Sequence, residues 1–353
     1  MSNVLEMAAQ LAGNSLRFGW YYGINWLVER ESKRLQSRPR YMPQRPVPSQ
    51  RELLADLAQL LLKDAAGVRA GFYPPDEPFM SPADHLGRLR QMLADLPSAL
   101  ERRFSDEAGT ARAEAAADGL PAYFTQDFHY QTGGYLTEES ARLYDVQVET
   151  LFYGTAAAMR RSGLRPIVEF MQGRDQRQAS LLDVGCGTGR LLRQVRLLFP
   201  ALKLTGLDLS RAYLDEAERH MKGLRPATLT VGNTEAIPLP DTSQDIVTCV
   251  YLFHELPPDV RRVVAREIAR VLKPGGLLVF IDSMQMGDKP GWDGLLEAFP
   301  VRFHEPYFRH YAIDDLNGLF EEAGLTARED WRAFLSKGMA RRKREGGVAQ
   351  TTD

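Results

Sequence analysis

The sequence lacks several features that would place the chain in a specialised class. Among its 353 residues are two cysteines, Cys186 and Cys249, too few for a disulfide framework and without zinc-ligand spacing. Lys and Arg total 44 against 46 Asp and Glu, so no basic excess indicates a nucleic-acid partner. No run reaches the roughly 18 apolar residues that a membrane span needs. We therefore expect a globular, cytoplasmic chain that binds no nucleic acid.

Composition divides the chain into three regions. Residues 1–120 are typical of helices separated by proline-rich connectors. Within them Ser49 and Glu52 have the spacing of a capping box ahead of an apolar helix. Residues 121–340 form the largest region, and residues 341–353 form a polar tail that we expect to be disordered. The chain is thus predicted to have an N-terminal helical cap followed by one larger domain.

The larger region alternates short apolar segments with amphipathic segments of about 10–15 residues. The alternation follows a long helix that we predict from about Glu138 to Arg161. Short apolar strands separated by helices predict a parallel sheet that is covered on both faces. We therefore expect an α/β fold with a Rossmann-like, doubly wound sheet.

The segment LLDVGCGTGRLL joins a predicted strand to a predicted helix. Its glycines, Gly185, Gly187 and Gly189, fall at alternate positions, where they let the backbone approach a ligand. Asp208 ends the next strand about 20 residues later, where a carboxylate accepts hydrogen bonds from ribose hydroxyls. Arg190 replaces the third glycine of the dinucleotide fingerprint. A ribose-containing ligand is favoured, a dinucleotide remains open, and a tight turn without a ligand is the alternative.

Four segments in order resemble the motifs of class I S-adenosylmethionine-dependent methyltransferases. They are LLDVGCGTGRLL, LTGLDLS, VGNTEAIPLPDTSQDIVTCVYLFHEL and EIARVLKPGGLLVFID. The resemblance covers about residues 180–340 and is closest to the type 11 group that includes ubiquinone/menaquinone C-methyltransferases. It implies a seven-stranded sheet with six parallel strands and one antiparallel strand, which WRAFLSKGMARRK would supply.

The resemblance also implies S-adenosylmethionine as the cofactor and assigns residues to it. Asp183 and the backbone of the glycine turn would hold the methionine moiety, and Asp208 would take the ribose hydroxyls. Asn233 stands where the family often has Asp, so an amide would contact the adenine edge. The complete predicted set is Asp183, Gly185, Gly187, Gly189, Asp208, Leu209, Asn233, Thr234 and Tyr251.

The segment LFHELPP follows the fourth predicted strand, where acceptor meets donor in this family. We expect His254 and Glu255 there to be catalytic; the structural alternative is a loop cap and a helix start. Two polar, aromatic segments, FHYQTGGY and FPVRFHEPYFRHY, are typical of acceptor-pocket loops, with ordinary packing as the alternative. From them we predict as substrate-binding residues His129, Tyr130, Tyr135, His304 and Tyr307. Because the histidines are scattered singly, we expect no metal.

These observations predict a methyltransferase that acts on a small, lipophilic or aromatic acceptor by in-line transfer to carbon or oxygen. A non-catalytic binding protein that keeps the cofactor fold is one alternative, and a nicotinamide-dependent oxidoreductase is another. The N-terminal 120 residues exceed what such a core needs. They are expected to cover the acceptor or to touch a membrane surface peripherally, and completion of the core or a homodimer interface is the alternative.

Overall fold

The N-terminal third of the chain is helical. The computed structural model describes residues 2–35, 41–75, 81–105, 119–130 and 133–345. The first helices along this part are α1 (Ser2–Leu35), α2 (Gln50–Arg69) and α3 (Pro82–Ser105). The predicted capping box at the start of α2 is confirmed: the Glu52 amide donates to the Ser49 hydroxyl, and the Ser49 amide donates to the Glu52 carboxylate.

A seven-stranded sheet forms the centre of the described chain, with the strand order β3-β2-β1-β4-β5-β7-β6. The strands are β1 (Ser180–Val184), β2 (Lys203–Asp208), β3 (Thr228–Val231), β4 (Gln244–Val250), β5 (Leu272–Ser283), β6 (Leu325–Ala333) and β7 (Ser336–Lys343). β7 pairs antiparallel with both β5 and β6, whereas the remaining pairs are parallel. The predicted α/β sheet with one antiparallel strand is confirmed, and β7 comes from the segment expected to supply it.

Helices cover both faces of the sheet. They are α4 (Glu138–Leu151), α5 (Ala156–Arg161), α6 (Leu164–Met171), α7 (Arg190–Leu198), α8 (Arg211–His220), α9 (Pro258–Val271), α10 (Asp293–Arg302), α11 (Phe308–Tyr311) and α12 (Leu316–Glu322). The central strands carry apolar side chains on both faces, and Leu181, Leu182 and Val247 are fully buried. The strand order reverses between β1 and β4, so their carboxyl ends open a crevice where ligands bind in such sheets.

The prediction of one long helix from Glu138 to Arg161 was wrong, because the helix is interrupted between α4 and α5. Tyr153 and Gly154 both have positive φ angles, 53° and 75°, which a helix cannot accommodate. A Cβ on Gly154 would lie 2.8 Å from the Arg17 side chain of α1. The close approach of α1 therefore decides where this helix ends.

Buried ionic contacts join the N-terminal helices to the rest of the chain. Asp64 on α2 accepts hydrogen bonds from Gln10 and Asn14 of α1 at 3.0 and 3.1 Å. The same carboxylate accepts one from Nε of Arg161 on α5 at 2.9 Å. Asp64 and Arg161 are each 2% exposed. The N-terminal helices are thus anchored to the helix layer of the sheet by a desolvated ion pair.

The last strand runs beyond residue 340, where the sequence places the start of a tail. Arg341 pairs with Leu278 of β5, and β7 continues to Lys343. The backbone groups of these polar residues are paired in the sheet, which composition alone does not reveal. Residues 346–353 lie outside the described residues. Among the helices of the described part, none combines the length and apolar character that crossing a membrane requires.

Candidate active site

The turn after β1 has a backbone conformation that favours glycine. The φ angles of Gly185, Gly187 and Gly189 are 67°, 51° and 70°. A Cβ on Gly185 would lie 3.2 Å from Leu252, and one on Gly189 would lie 2.8 Å from the Cβ of Ala217. A Cβ on Gly187 would meet no atom within 4 Å, and Gly187 lines a pocket. Two of the glycines therefore permit close packing, and Gly187 leaves room for a ligand.

Asp208 at the end of β2 fastens this turn. One carboxylate oxygen accepts a hydrogen bond from the Gly187 amide at 2.8 Å, and the other accepts one from the Ser210 amide at 2.9 Å. Burial raises the pKa of Asp208, although these amides oppose the rise. Each carboxylate oxygen has a second acceptor position. Asp208 can therefore hold the turn and still accept hydrogen bonds from a ligand in the pocket, which it lines.

Aromatic side chains form much of the lining of this pocket. They are Tyr123, Phe124, Phe128, Tyr135, Tyr144 and Tyr213. Phe128 and Tyr135 stack with ring centroids 5.3 Å apart. The enclosed space measures about 100 Å³, whereas ligand pockets commonly measure about 300–1,000 Å³. A nucleoside-sized ligand would therefore extend beyond this space or displace some of the side chains that line it.

A buried pair of ionisable groups lies at the carboxyl ends of β4 and β5. His254 donates a hydrogen bond from Nδ1 to Asp282 Oδ1 at 2.5 Å. Asp282, fully buried, also accepts a hydrogen bond from the Phe253 amide at 2.8 Å. Burial alone would lower the pKa of His254, but the Asp282 carboxylate outweighs it and raises the pKa to about 10. The contact orients the imidazole so that Nε2 lies 3.8 Å from Glu255 Oε1.

Further carboxylates surround this histidine. Tyr135 donates a hydrogen bond to Glu255 Oε1 at 2.5 Å, and burial raises the pKa of Glu255 to about 7. Glu305 is 2% exposed, and its Oε1 lies 3.2 Å from His129 Nε2. Burial lowers the pKa of His129 to about 3, so its imidazole is neutral at neutral pH. A compact group of histidine, glutamate and tyrosine side chains thus borders the pocket.

The part of the chain that contains the glycine turn and Asp208 also matches the sequence model of a known family. Residues 181–276 match a family model described as a methyltransferase domain. The chain carries a class I methyltransferase domain. The matched residues run from β1 into the first part of β5, so they include both sides of the crevice.

Curated relatives of this methyltransferase domain include enzymes named for quinone biosynthesis. The chain is 36% identical over 138 residues to a demethylmenaquinone methyltransferase of Listeria welshimeri, covering 38% of this chain and 57% of that protein. It is 32% identical over 166 residues to a ubiquinone/menaquinone biosynthesis C-methyltransferase of Methylobacterium nodulans, covering 46% and 63%. The chain thus spans little more than half the length of the curated relatives it matches.

Solved structures similar to this chain include a putative sarcosine dimethylglycine methyltransferase from Galdieria sulphuraria. That structure has 19% identity, a TM-score of 0.41, and coverage of 57% of this chain and 88% of its own. A SAM-dependent methyltransferase from Aquifex aeolicus has 20% identity, a TM-score of 0.37, and coverage of 51% and 89%.

S-adenosylmethionine is the cofactor of this methyltransferase domain, and the residues present fit it. Asp208 offers carboxylate oxygens for a ribose, and Gly187 leaves the space that a side chain would fill. Leu209, Asn233 and Thr234 line the same pocket beside Asp208. The side-chain oxygen of Asn233 accepts hydrogen bonds from the Glu235 amide at 2.9 Å and from the Tyr123 hydroxyl at 3.4 Å, so an adenine amino group would replace the longer of the two.

Two of the predicted cofactor residues lie beneath the pocket surface. Asp183 is 2% exposed and accepts a hydrogen bond from the Thr248 hydroxyl at 2.6 Å, and burial raises its pKa to about 7. Gly189 lies at the start of α7 and faces Ala217 of α8. Tyr251 does line the pocket, with its hydroxyl 2.7 Å from Ser336 Oγ. Direct cofactor contact by Asp183 and Gly189 stays a prediction.

The structure brings together some of the predicted substrate residues and separates others. Tyr135 reaches Glu255, and His129 reaches Glu305. Tyr307 packs beside the aromatic cluster, whereas His304 faces a second cavity. The side chain of Tyr130 lies outside the described residues.

The second cavity measures about 750 Å³ and lies between the N-terminal helices and α10. Its lining includes Val28, Leu53, Leu96, Val148, Leu151, Leu295, Phe299 and Phe303. Tyr144 lines both this cavity and the cofactor pocket. The two spaces therefore adjoin at one side chain, and His129 also lines the larger cavity.

Sequence reasoning missed Asp282 and the contributions of Tyr144 and Tyr213. Asp282 ends β5 in the segment LLVFID, and a carboxylate at the carboxyl end of a parallel strand is a signal that could have identified it. Tyr144 and Tyr213 lie on α4 and α8, where an aromatic residue in an amphipathic helix is indistinguishable from core.

Proposed function

We propose that this protein transfers a methyl group from S-adenosylmethionine to carbon or oxygen of a small, lipophilic acceptor of the quinone type. The observation that carries the proposal is the meeting of a ribose-binding pocket and a largely apolar cavity of about 750 Å³ at Tyr144. The names of the curated relatives support a ring-bearing, lipophilic acceptor. Such an acceptor would place its ring near the pocket and its apolar part in the cavity.

The residues of the pocket divide the work of the reaction. The cofactor supplies a methyl group on a positively charged sulfur, so alignment and exclusion of water are the main tasks of the protein. Asp208, Asn233 and the glycine turn hold the nucleoside end. The aromatic side chains that line the same pocket would exclude water from the bound cofactor. A proton that leaves the acceptor would pass to the Glu255 carboxylate, because Asp282 raises the pKa of His254 and keeps its imidazole protonated at neutral pH. The protonated Nε2 of His254 lies 3.8 Å from Glu255 Oε1, where its charge favours the ionised carboxylate.

Replacing His254 with alanine is expected to lower the turnover rate by about 100-fold or more, because Glu255 would lose the positive charge that favours its ionised form and positioned proton transfer contributes about 10²–10⁴-fold. The affinity for S-adenosylhomocysteine should stay within a few fold of wild type, since His254 does not line the cofactor pocket. Turnover is measured at saturating acceptor, and affinity by calorimetry. His310→Ala is the matched control because His310 is a half-exposed surface residue. Turnover of His254→Ala within a few fold of wild type would contradict the role.

The reaction itself is tested with isotope-labelled S-adenosylmethionine and two acceptor preparations, demethylmenaquinone and a total lipid extract. We expect labelled, lipid-soluble product that mass spectrometry identifies as one methyl group heavier. Binding of S-adenosylhomocysteine without any labelled product would favour the non-catalytic alternative. Thermal stabilisation by NAD, without stabilisation by S-adenosylhomocysteine, would favour the oxidoreductase.

We further propose that α1 docks on an anionic membrane surface from which the acceptor enters. Its exposed face carries Leu5, Leu16, Trp20, Trp26 and Leu27. Exposed Arg30, Lys33 and Arg34 follow at its C-terminal end, where they would meet anionic head groups. The same end of α1 contributes Val28 and Lys33 to the lining of the larger cavity. The cavity therefore opens beside the face that would touch the lipid.

The variant Leu16→Glu, which introduces a negative charge, is expected to reduce co-sedimentation with phosphatidylglycerol vesicles at least five-fold. Burial of one leucine contributes about 1.5–3 kcal/mol, and the substitution adds repulsion from the anionic lipid. Ile313→Glu is the matched control, since Ile313 is 72% exposed and lies outside α1. Equal sedimentation of both variants and wild type would contradict the proposal. A concentration-dependent dimer that Leu16→Glu dissociates would instead assign the face to a second copy of the chain.

A further inference from the structure

We propose that His129, Glu255 and Glu305 hold one divalent transition-metal ion at the junction of the cofactor pocket and the larger cavity. One ligand atom from each residue lies within 4.8 Å of the others. The three residues come from separate parts of the chain: a turn before α4, the turn after β4 and the segment between α10 and α11. The proposal deepens the proposed function and departs from the expectation of no metal, which rested on ligand spacing along the chain.

The burial of Glu305 is the independent observation that points to a cation. Glu305 is 2% exposed, and neither of its carboxylate oxygens accepts a hydrogen bond among the described residues. A buried carboxylate without donors is costly unless a cation or a proton neutralises it. The Nε2 atom of His129 lies 3.2 Å from Glu305 Oε1, and an imidazole nitrogen is also a metal ligand. The buried Glu305 carboxylate therefore needs a neutralising partner, and a cation bound beside His129 would supply one in place of a proton.

The backbone of His129 has a conformation that most non-glycine residues rarely adopt. Its φ angle is 58°, in the left-handed region, which costs a non-glycine residue about 1–3 kcal/mol. The ring is held by edge contacts with Phe299 and Phe303, at centroid distances of 6.3 and 6.1 Å. The imidazole is therefore placed beside Glu305 by the surrounding structure. Its neutral form is the form that ligates a metal.

The distances between the three ligand atoms are close to those around a bound metal ion. Ligand atoms about 2.0–2.2 Å from one tetrahedral ion lie about 3.3–3.6 Å apart. His129 and Glu305 already have this spacing at 3.2 Å. Glu255 needs to approach, and Tyr135 supports it by donating a hydrogen bond to Oε1. One imidazole and two carboxylates favour Zn²⁺, Mn²⁺ or Fe²⁺ over Ca²⁺, which prefers oxygen ligands.

Three protein ligands leave at least one coordination position for a substrate atom. An acceptor hydroxyl or carbonyl oxygen bound there would be polarised, and the acidity of a hydroxyl would increase. Glu255 borders the cofactor pocket and His129 borders the larger cavity, so the ion would lie between donor and acceptor. The ion would therefore fix which oxygen-bearing edge of the acceptor faces the methyl donor.

The full-length protein, stripped of metal with a chelator, is titrated with Zn²⁺, Mn²⁺ and Co²⁺ separately. We expect one ion per chain with micromolar or tighter affinity, and a Co²⁺ absorption spectrum that indicates a nitrogen ligand. Glu305→Gln and His129→Ala should each weaken binding at least 30-fold. His304→Ala is the matched control, because His304 lines the same cavity and belongs to no ligand set among the described residues.

Binding of S-adenosylhomocysteine is measured on the same samples and should change less than three-fold in each variant, which separates this proposal from the assignment of the cofactor pocket. A wild-type protein that binds no ion, or binds it equally after Glu305→Gln, overturns the metal site while leaving the methyltransferase proposal standing. Should Glu305→Gln fail to fold, the Co²⁺ spectrum of the wild type decides, since absence of a nitrogen ligand also overturns it.

Discussion

Replacing Asp208 with alanine is expected to reduce the affinity for S-adenosylhomocysteine at least about 100-fold. Hydrogen bonds to a charged group contribute about 1.5–3 kcal/mol each, and the carboxylate is placed to accept two from a ribose. The substitution also removes the acceptors for the Gly187 and Ser210 amides, 2.8 and 2.9 Å away, so the glycine turn loses its anchor. Isothermal titration calorimetry measures the affinity directly.

Two further variants separate ligand contact from support of the turn. Asp208→Asn keeps acceptors of similar shape but loses the charge, so we expect intermediate affinity. Asp215→Ala removes a carboxylate from α8 that pairs with Arg211 at 2.9 Å on the surface, and it should bind like wild type. Unchanged affinity in Asp208→Ala would exclude Asp208 as the ribose ligand, provided that circular dichroism shows a folded protein.

Replacing Asp64 with alanine is expected to lower the free energy of unfolding by about 3–5 kcal/mol, the usual cost of removing one partner of a buried ion pair. Arg161, 2% exposed, would keep its charge and lose its carboxylate. Gln10 and Asn14 would lose their shared acceptor on α2. Chemical denaturation followed by circular dichroism measures the change, and Lys63→Ala on the exposed side of α2 is the control.

The shape of the unfolding curve tests the predicted boundary near residue 120. Because Asp64 connects α1, α2 and α5, loss of the carboxylate should shift one cooperative transition of the whole chain. A separate early transition of the N-terminal helices, with an unchanged main transition, would show that residues 1–120 unfold as a unit of their own. A decrease of less than about 1 kcal/mol in the free energy of unfolding would contradict the predicted contribution of the ion pair to stability.

Local patterns predicted the parts of the protein that depend on neighbours along the chain. The capping box of Ser49 and Glu52 spans four residues, and the glycine turn spans five. The sheet was predictable because apolar strands of a buried parallel sheet differ from amphipathic helices in their hydrophobic period. The placement of Asp208 followed from topology, since it ends the strand next to β1.

Features that depend on distant parts of the chain were predicted poorly. Gly154 is one glycine among many in the sequence, and only the approach of α1 shows why the helix must end beside it. The histidines are single along the chain, so spacing predicted no metal site. In three dimensions His129, Glu255 and Glu305 converge. Residues far apart in sequence leave no periodic signal when they meet.

By itself the sequence determined the class of the sheet, the glycine turn and the position of the carboxylate that ends β2, because hydrophobic period and turn chemistry act over a few residues. The tertiary structure alone decided that Asp282 orients His254 and that Asp64 anchors the N-terminal helices to Arg161. It also decided that a large apolar cavity adjoins the cofactor pocket at Tyr144. Packing of separate elements against one another creates these contacts and cavities, and desolvation then sets the charge of the groups enclosed.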